Sequence, residues 1–148
     1  MINSKQVTIK NFEELSKTEL YAILALRIKV FCVEQNCPYQ DIDNNDQNAI
    51  HVYIKENNSI TAYARILTEK NDEYHIGRVV VDENYRSHGL ATLIINHCID
   101  YIKQNKKATI IISAQSYLKD FYKKIGFENT GDYYLEDDIP HEQMQLVP

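Results

Sequence analysis

The sequence predicts an α/β or α+β fold in which helices pack on the faces of one β-sheet. Three observations predict this class: the chain length, the alternation of helical and strand-like hydrophobic patterns, and the turn residues between them. The 148 residues, 44% of them apolar, are enough for one core and too few for two. The pattern order is β-α-β-β-β-α-β-α-β-β. We therefore expect residues 1–148 to form a single domain.

The first half of the chain predicts a strand, a helix and a three-stranded meander. A weak alternation at Val7–Lys10 indicates the strand. Ser16 and Glu19 form a capping box, and the apolar spacing after it predicts a helix that ends near Glu34. β-branched and aromatic runs separated by Asn-Asn and Asn-Asp turns then predict three antiparallel strands. These strands span Ile50–Lys55, Ile60–Leu67 and His75–Val81.

The second half predicts two helices around a buried strand. From Ser87 onward apolar residues recur every three or four positions, which predicts a helix that ends near Asn105. The continuously apolar run Ala108–Ser113 indicates a strand buried on both faces. A second amphipathic stretch, Tyr117–Ile125, stops at Gly126, a residue typical of helix C-caps. The tail adds two strands, around Asp132–Leu135 and Gln143–Val147.

Composition excludes several classes of protein. The formal net charge is −5 with scattered Lys and Arg, which excludes a nucleic-acid binder and favours a cationic small molecule. We expect no secretion signal, no membrane helix and a cytoplasmic location. Three cysteines without a Cys-x-x-Cys pair are typical of reduced thiols. The dispersed histidines predict no zinc site, and a partial calcium-loop match fails at Asp46 and Val52.

The polar connection 35–48 is long enough to indicate a functional loop. Its three aspartates and an acidic run near the C-terminus form an acidic rim if the fold brings them together. Such a rim attracts a cationic acceptor, although a solvated acidic loop is the alternative for any single member. The residues concerned are Asp41, Asp43, Asp46, Glu136, Asp137 and Asp138.

The most informative segment is Val79–Thr92, a strand, a loop and a helix start with the motif Arg86-x-x-Gly89-x-Ala91. The first N–H groups of a helix have no partner within the helix, and its dipole favours negative charge there. A pyrophosphate binds at such a terminus when small residues let it approach the backbone, as Gly89 and Ala91 do. Taken alone, the motif also fits an ordinary strand-to-helix turn.

A second segment, Gln115–Phe127, contains Phe121-Tyr122-x-x-x-Gly126-Phe127. The two segments in this order resemble the GNAT superfamily of N-acetyltransferases. The resemblance implies the GNAT acyl-CoA N-acyltransferase fold, a central mixed and mostly antiparallel sheet of about six or seven strands with helices on both faces. It also implies transfer of an acetyl group from acetyl-CoA, as cosubstrate, to a primary amine.

Within that superfamily the chain is similar to the ElaA group, over the runs Phe31–Asp43, Ala62–Ile66 and Ile76–Val79. The resemblance implies that the strand ending at Val81 pairs with the pantetheine amides and splays from its parallel neighbour. It implies that Tyr122 protonates the departing thiolate. The implied coenzyme-binding residues are Val79, Val80, Val81, Arg86, Ser87, His88, Gly89, Leu90, Ala91, Thr92, Gln115 and Tyr122. Ser87-His88 departs from the additional glycine that many relatives have in this loop.

The acceptor amine needs a base, because deprotonating an alkylamine of pKa about 10.4 at pH 7 costs about 4.6 kcal/mol. Arg27, Phe31 and Glu34 are spaced to share one helix face. We interpret Glu34 as the group for amine binding or proton relay, with an ion pair to Arg27 or a helix cap as the alternative. His141 is a second candidate for the base. The predicted catalytic residues are Tyr122 and Glu34, and the predicted substrate-binding residues are Arg27, Phe31, Glu34, Asp43 and His141.

Two other functions fit parts of the pattern. Acyl-homoserine-lactone synthases resemble this fold and have an Arg-x-x-Val-Phe stretch comparable to Arg27–Phe31. Those enzymes commonly use acyl-carrier protein, whereas the Arg86–Ala91 loop favours a coenzyme. A non-catalytic acetyl-CoA sensor is the other alternative, and Tyr122 argues against it. The acceptor stays open among polyamines, aminoglycosides, amino sugars and peptide N-termini, and an apolar C-terminal sheet edge predicts a possible homodimer.

Overall fold

The structure, a computed structural model, describes residues 6–148. The strands are β1 Val7–Asn11, β2 Ile50–Glu56, β3 Ser59–Thr68, β4 Glu73–Val81, β5 Thr109–Gln115, β6 Glu128–Glu136 and β7 Ile139–Leu146, and the helices are α1 Lys17–Arg27, α2 Leu90–Ile102 and α3 Lys119–Ile125. Within this range the seven strands form one sheet in the order β1-β2-β3-β4-β5-β7-β6. Among these described strands only β4 and β5 pair in parallel.

This architecture confirms the predicted fold class, with helices on both faces of a mixed sheet. One core lies between the sheet and α2, and a smaller one lies between the sheet and α1. Of the predicted domain, residues 1–5 lie outside the described residues. The two tail strands are longer than predicted and form the hairpin of β6 and β7. The edge strand β6 exposes Tyr133 and Leu135, and this is the edge on which the sequence predicts a homodimer.

The first helix changes its hydrogen-bonding pattern in the middle of the predicted span. It begins at the expected capping box, where Ser16 Oγ accepts from the Glu19 amide at 3.0 Å. α1 ends at Arg27, and a π-helical segment, Ile28–Glu34, continues the helix to its predicted end. Segments with this wider turn are rare and occur frequently at functional sites. With the wider turn, Arg27, Phe31 and Glu34 do not share one helix face as predicted. Arg27 is buried in the core, whereas Phe31 and Glu34 line a cavity.

An extra residue in β4 reverses the faces of that strand. Ala64 of β3 lies opposite both Arg78 and Val79, which is a β-bulge, and Arg78 has a φ of 51°. Ile76 and Val80 are four residues apart and would share a face in a regular strand. Because of the bulge, Ile76 packs in the core under α2 and Val80 packs in the core under α1.

The parallel ladder between β4 and β5 is incomplete. It covers only Glu73–Ile76 of β4 and Thr109–Ile112 of β5. Beyond this point β4 continues to pair with β3, and β5 continues to pair with β7. The two strands therefore diverge, with residues 77–81 on one side of a wedge and residues 113–115 on the other. This confirms the predicted splay between the two strands.

A buried ion network fixes the connection 35–48 to the sheet. Arg27 is 0% exposed and donates hydrogen bonds to Asp41 at 2.9 Å and Asp46 at 2.7 Å. Arg65 donates to Asp46 at 3.0 Å and to Asp43 at 2.6 Å. Arg78 donates to Asp41 at 2.9 Å. Three guanidinium groups thus balance three carboxylates.

This network overturns half of the predicted acidic rim. Asp41 and Asp46 are buried, and Asp43 is bonded to two arginines. Their charges are neutralised by guanidinium partners and are not displayed to a cationic acceptor. These ion pairs account for the aspartates of the loop, because each carboxylate has a guanidinium partner on another element.

Replacing Arg27 with methionine should lower the free energy of unfolding by about 3–5 kcal/mol, because it leaves two buried carboxylates without one of their counter-charges. Urea denaturation measures this loss. Lys29→Met is the matched control, since Lys29 forms an exposed ion pair with Asp82 at 3.3 Å, and it should cost less than about 1 kcal/mol. Equal losses in the two variants would contradict a structural role for the network.

The network should also make stability depend on acid pH. A hydrogen bond from Arg65 holds the pKa of Asp43 well below its usual range. Burial raises the pKa of Asp46, but the hydrogen bond and charge of Arg27 outweigh this effect and lower it. Both groups have folded pKa values below the unfolded value of about 3.9, so they contribute stability above about pH 4 that is lost as pH falls further. Urea midpoints measured from pH 7 to pH 3 should fall below about pH 4, and fall less steeply in Asp43→Asn.

Candidate active site

A cavity of about 750 Å³ opens at the wedge between β4 and β5. Its walls are the π-helical segment, the loop after it, β4, the start of α2, the residues around α3, and the turn between β6 and β7. Most of the predicted site residues line it. They are Phe31, Glu34, Val79, Val80, Val81, Arg86, Ser87, Gly89, Leu90, Ala91, Thr92, Gln115, Tyr122 and His141.

Three predicted site residues do not line the cavity. Arg27 has no exposed surface, and its donors bind Asp41 and Asp46. Asp43 accepts hydrogen bonds from Arg65 behind the cavity wall. Neither Arg27 nor Asp43 is therefore placed to contact an acceptor, contrary to the prediction. The side chain of His88 is exposed outside the cavity lining, which leaves only its backbone for the predicted contact with a coenzyme.

The loop before α2 presents free backbone donors to the cavity. Gly89 is the N-cap of α2, with φ 77°, and no side chain caps the helix. Ser87, two residues earlier, also has a positive φ of 67°. The first-turn amides of α2, including those of Ala91 and Thr92, therefore lack the side-chain acceptor that a Ser or Asp cap supplies. A helix N-terminus of this kind binds an anion.

Arg86 links this loop to the π-helical segment. Its two terminal nitrogens donate to the two oxygens of Glu34 at 2.6 and 3.0 Å, and its Nε donates to the Val81 carbonyl at 3.1 Å. The hydrogen bond from Arg86 lowers the pKa of Glu34. Glu34 is therefore ionised and is a weak base. The predicted alternative, a pair between Glu34 and Arg27, is replaced by this pair with Arg86.

Tyr122 of α3 lines the cavity at the wedge, and its hydroxyl is protonated. Its ring packs edge-on against Phe121 and Phe127, and the residue is 5% exposed. Burial raises the pKa of Tyr122 to about 12. Tyr122 lines the cavity, and its hydroxyl has no hydrogen-bond partner within residues 6–148. It is therefore available to donate to a group that enters the wedge.

The opposite side of the wedge is built from β5, β7 and the turn between β6 and β7. Gln115 lies beside His141 in the register of β5 and β7, so the two side chains occupy the same face of the sheet. Gln115 donates to Gln35 at 3.5 Å, and Cys37 Sγ lies 3.8 Å from the Asp137 carbonyl. The loop after the π-helical segment therefore closes over this face. His141 is 6% exposed.

The structure adds residues that sequence reasoning missed. Tyr39 and Arg78 line the cavity. The Arg78 guanidinium lies 5.6 Å from the centroid of the Tyr39 ring, and the Tyr39 hydroxyl donates to Asp41 at 2.8 Å. The only sequence signal was their position in two runs that resemble the ElaA group. Their contacts depend on the bulge in β4, for which the sequence gives no local sign.

Residues 6–148 contain no group of three or more His, Cys, Asp and Glu side chains arranged to hold a metal ion. No helix within the same range is both long and apolar enough to span a membrane.

The comparisons with known proteins identify the family. Residues 13–148 match the model of the acetyltransferase (GNAT) domain. Protein ElaA of Escherichia coli is 39% identical over 133 residues, which cover 86% of this chain and 87% of that protein. Its crystal structure superposes with a TM-score of 0.89, covering 95% of this chain and 98% of that one. An acyl-CoA N-acyltransferase from Pseudomonas aeruginosa is 34% identical with a TM-score of 0.92, covering 97% of this chain and all of that one.

A more distant structure bears on the lactone-synthase alternative. A CoA-dependent acyl-homoserine lactone synthase, BjaI, has a TM-score of 0.82 but only 11% identity, over 97% of this chain and 83% of that one. This likeness shows the fold alone. Because that synthase is CoA-dependent, the type of acyl donor does not separate the two classes as the sequence reasoning expected. The family match over most of the chain does separate them: the chain belongs to the GNAT acetyltransferase family, in an ElaA-like group, and is an acyltransferase.

Proposed function

We propose that the protein transfers an acetyl group from acetyl-CoA to a primary amine of a small molecule or peptide. The observation that supports this most directly is the wedge between β4 and β5. One end of the wedge has the uncapped N-terminus of α2, and its interior has the unpaired Tyr122 hydroxyl. A diphosphate and a thioester joined by an extended arm need these features in this order.

The pantetheine arm is proposed to bind along β4. Residues 77–81 have no partner on β5, so this edge is free to bond an extended chain of amides as an added strand does. Val79 and Val81 pack against the core under α2 and supply an apolar wall. Backbone amides from Ser87 to Thr92 hold the diphosphate, with Arg86 beside them, and Gln115 faces the arm from β5.

Tyr122 is proposed to stabilise the departing thiolate by a hydrogen bond. A thiol has a reference pKa of about 8.5, and the pKa of Tyr122 is about 12. Complete proton transfer from the phenol to the thiolate would be uphill by roughly 5 kcal/mol. The phenol therefore acts mainly as a donor to the developing negative charge, and the proton that yields the free thiol comes finally from solvent.

The proposed compartment is the cytoplasm. The three cysteines, Cys32, Cys37 and Cys98, are free thiols. Free thiols of this kind are typical of a reducing compartment.

Replacing Gly89 with alanine should weaken CoA binding more than tenfold in isothermal titration calorimetry. A Cβ at a φ of 77° is strained by about 1 kcal/mol and lies where the diphosphate must approach the backbone. Gly131→Ala is the matched control, since Gly131 also has a positive φ of 96° with nothing within 4 Å of an added Cβ. Both variants should lose similar stability, and only the first should lose affinity. Unchanged CoA affinity in Gly89→Ala would overturn the proposed coenzyme site.

Replacing Tyr122 with phenylalanine should lower kcat about tenfold to a hundredfold, because one hydrogen bond to the thiolate is lost. The Kd for CoA should stay within about twofold, since the ring packing is preserved. Thiol release from acetyl-CoA in the presence of amines measures the rate. Tyr117→Phe, at an exposed tyrosine on the rim of the same cavity, is the control and should keep the wild-type rate. Binding of CoA with no amine-dependent thiol release in the wild type would instead indicate a sensor.

A further inference from the structure

We infer that His141 is the general base that deprotonates the acceptor ammonium, and that Glu136 stabilises the resulting imidazolium. This inference deepens the proposed function and rests on it. The general base then lies on β7, on the opposite side of the wedge from Arg86 and Glu34. The substrate that receives the acetyl group is an amine that arrives positively charged.

The backbone fixes the tautomer of His141. Its Nδ1 lies 2.7 Å from the Ile139 carbonyl oxygen. A carbonyl only accepts hydrogen bonds, so Nδ1 is the donor and holds the ring proton. The lone pair of the neutral ring is therefore on Nε2. A general base needs its lone pair on the atom that meets the substrate, and here the protein selects that atom through its own main chain.

The position of Glu136 suits it to stabilise the protonated ring. Its Oε2 lies 3.4 Å from His141 Nε2, on the nitrogen that gains the proton. Tyr134 stacks on the imidazole with an interplanar angle of 17° and holds its plane. Glu136 is more than half exposed, so it can move aside when the ammonium enters and return to the imidazolium afterwards. Both Glu136 and His141 line the cavity.

The other groups that line the cavity are less suited to this role. The pKa of Glu34 is lowered by its hydrogen bond from Arg86, which makes its carboxylate a weak base. Burial and the hydrogen bond to Asp41 raise the pKa of Tyr39, whose hydroxyl proton is directed at that carboxylate. Tyr122, with a pKa of about 12, is protonated. Among the lining residues within 6–148, His141 is the only imidazole.

The balance of charges around His141 favours a cation. The charge of Arg86 is matched by Glu34, and the charge of Arg78 is matched by Asp41 and Asp43. The carboxylates of Glu136 and Asp137, on the turn beside His141, have no such arginine partner among the described contacts. An ammonium is therefore attracted to the side of the cavity where the base lies.

Tyr134 of β6 stacks on the His141 ring. The titratable or charged groups that line the same cavity come from several packed elements: Glu136 and Asp137 from β6 and its turn, Arg78 from β4, Cys37 and Tyr39 from the loop, Glu34 from the π-helical segment, Arg86 from the loop before α2, and Tyr122 from α3. The side chain of Glu142 hydrogen-bonds Asn129 and, by strand alternation, lies on the other face of the sheet.

The proposed step balances its protons. His141 Nε2 takes one proton from the alkylammonium, and the freed nitrogen lone pair attacks the thioester carbonyl carbon. The tetrahedral intermediate collapses as its C–S bond breaks, and the electron pair leaves on sulfur while Tyr122 donates a hydrogen bond to it. The nitrogen loses a second proton as the amide forms, and the thiolate gains one through solvent. The imidazolium then returns its proton to water, so one proton is released for each acetyl group transferred.

The pH dependence of kcat/KM separates this inference from its alternatives. Wild-type protein is assayed by thiol release from acetyl-CoA with a set of primary amines, including 1,4-diaminobutane, kanamycin, glucosamine and a short peptide. With a working base and an alkylamine such as 1,4-diaminobutane, kcat/KM should be level over mildly alkaline pH until the amine itself titrates near about pH 10, because the base removes the proton from the ammonium form. In His141→Gln we expect about a hundredfold loss at pH 7, within the usual contribution of a general base. The variant's rate should then rise about tenfold per pH unit up to the pKa of the amine, because only amine that is already neutral reacts.

The controls isolate the role of His141. His97→Gln, on α2 with its Nδ1 bonded to the Leu93 carbonyl, should keep the wild-type profile. Glu136→Gln should keep the shape of the profile and lose less activity than His141→Gln. The ¹⁵N chemical shifts of the His141 ring should show a neutral Nδ1–H tautomer at high pH, which tests the geometry without any acceptor.

The outcomes separate a failure of His141 as the base from a failure of the proposed acetyltransferase activity. A wild-type profile in His141→Gln, or an Nε2–H tautomer, overturns the assignment of the base and leaves the acetyltransferase proposal standing. Absence of thiol release by the wild type with every amine, in protein that binds CoA, overturns the proposed function itself. Parallel profiles of wild type and His141→Gln, with a lower rate at every pH, would show a positioning role and would also overturn the inference.

Discussion

The structure depends on a parallel strand pair that stops after four residue pairs. β4 and β5 are held together at their N-terminal ends by ordinary sheet bonding, and each then follows its other neighbour. Backbone groups along residues 77–81 lose their partner on one side, and unpaired backbone groups need water or a ligand. The same interruption creates the cavity and leaves backbone groups to which the proposed pantetheine arm can bind. The divergence of β4 and β5 therefore determines both the shape of the sheet and the position of the candidate site.

The bulge at Arg78 and the buried ion network determine the second wall of that cavity. Arg78 adopts a positive φ, which turns its guanidinium toward Asp41 and places its charge over the Tyr39 ring. Arg27 and Arg65 then bind the remaining carboxylates of the loop. Arginine suits these positions because its planar fork bonds two acceptors at once and does not lose its charge on burial. The loop is thus held by geometry that a lysine would not reproduce.

Local signals predicted most of the fold and many of the residues that line the cavity. The capping box at Ser16, the turn residues of the meander and the small residues Gly89 and Ala91 act within a few positions of themselves, so a single sequence displays them. The ion network was beyond such reasoning: Arg27 finds its partners 14 and 19 positions away. The π-helical segment could not be predicted either, because its sequence keeps the apolar spacing of an ordinary helix. The link between Arg86 and Glu34 could not be predicted because it joins two elements that meet only in the fold.

The two sides of the cavity differ in electrostatic character, and this difference suits the proposed reaction. At the start of α2, uncapped amides and the helix dipole favour an anion, and Arg86 adds a positive charge held in place by Glu34. At the turn between β6 and β7, carboxylates and an imidazole with a fixed tautomer favour a cation. In the proposed reaction, the negatively charged donor and the positively charged amine are attracted to opposite sides of one wedge and meet where β4 and β5 separate. The strand divergence would then set the position of the reacting atoms as well as the shape of the cavity.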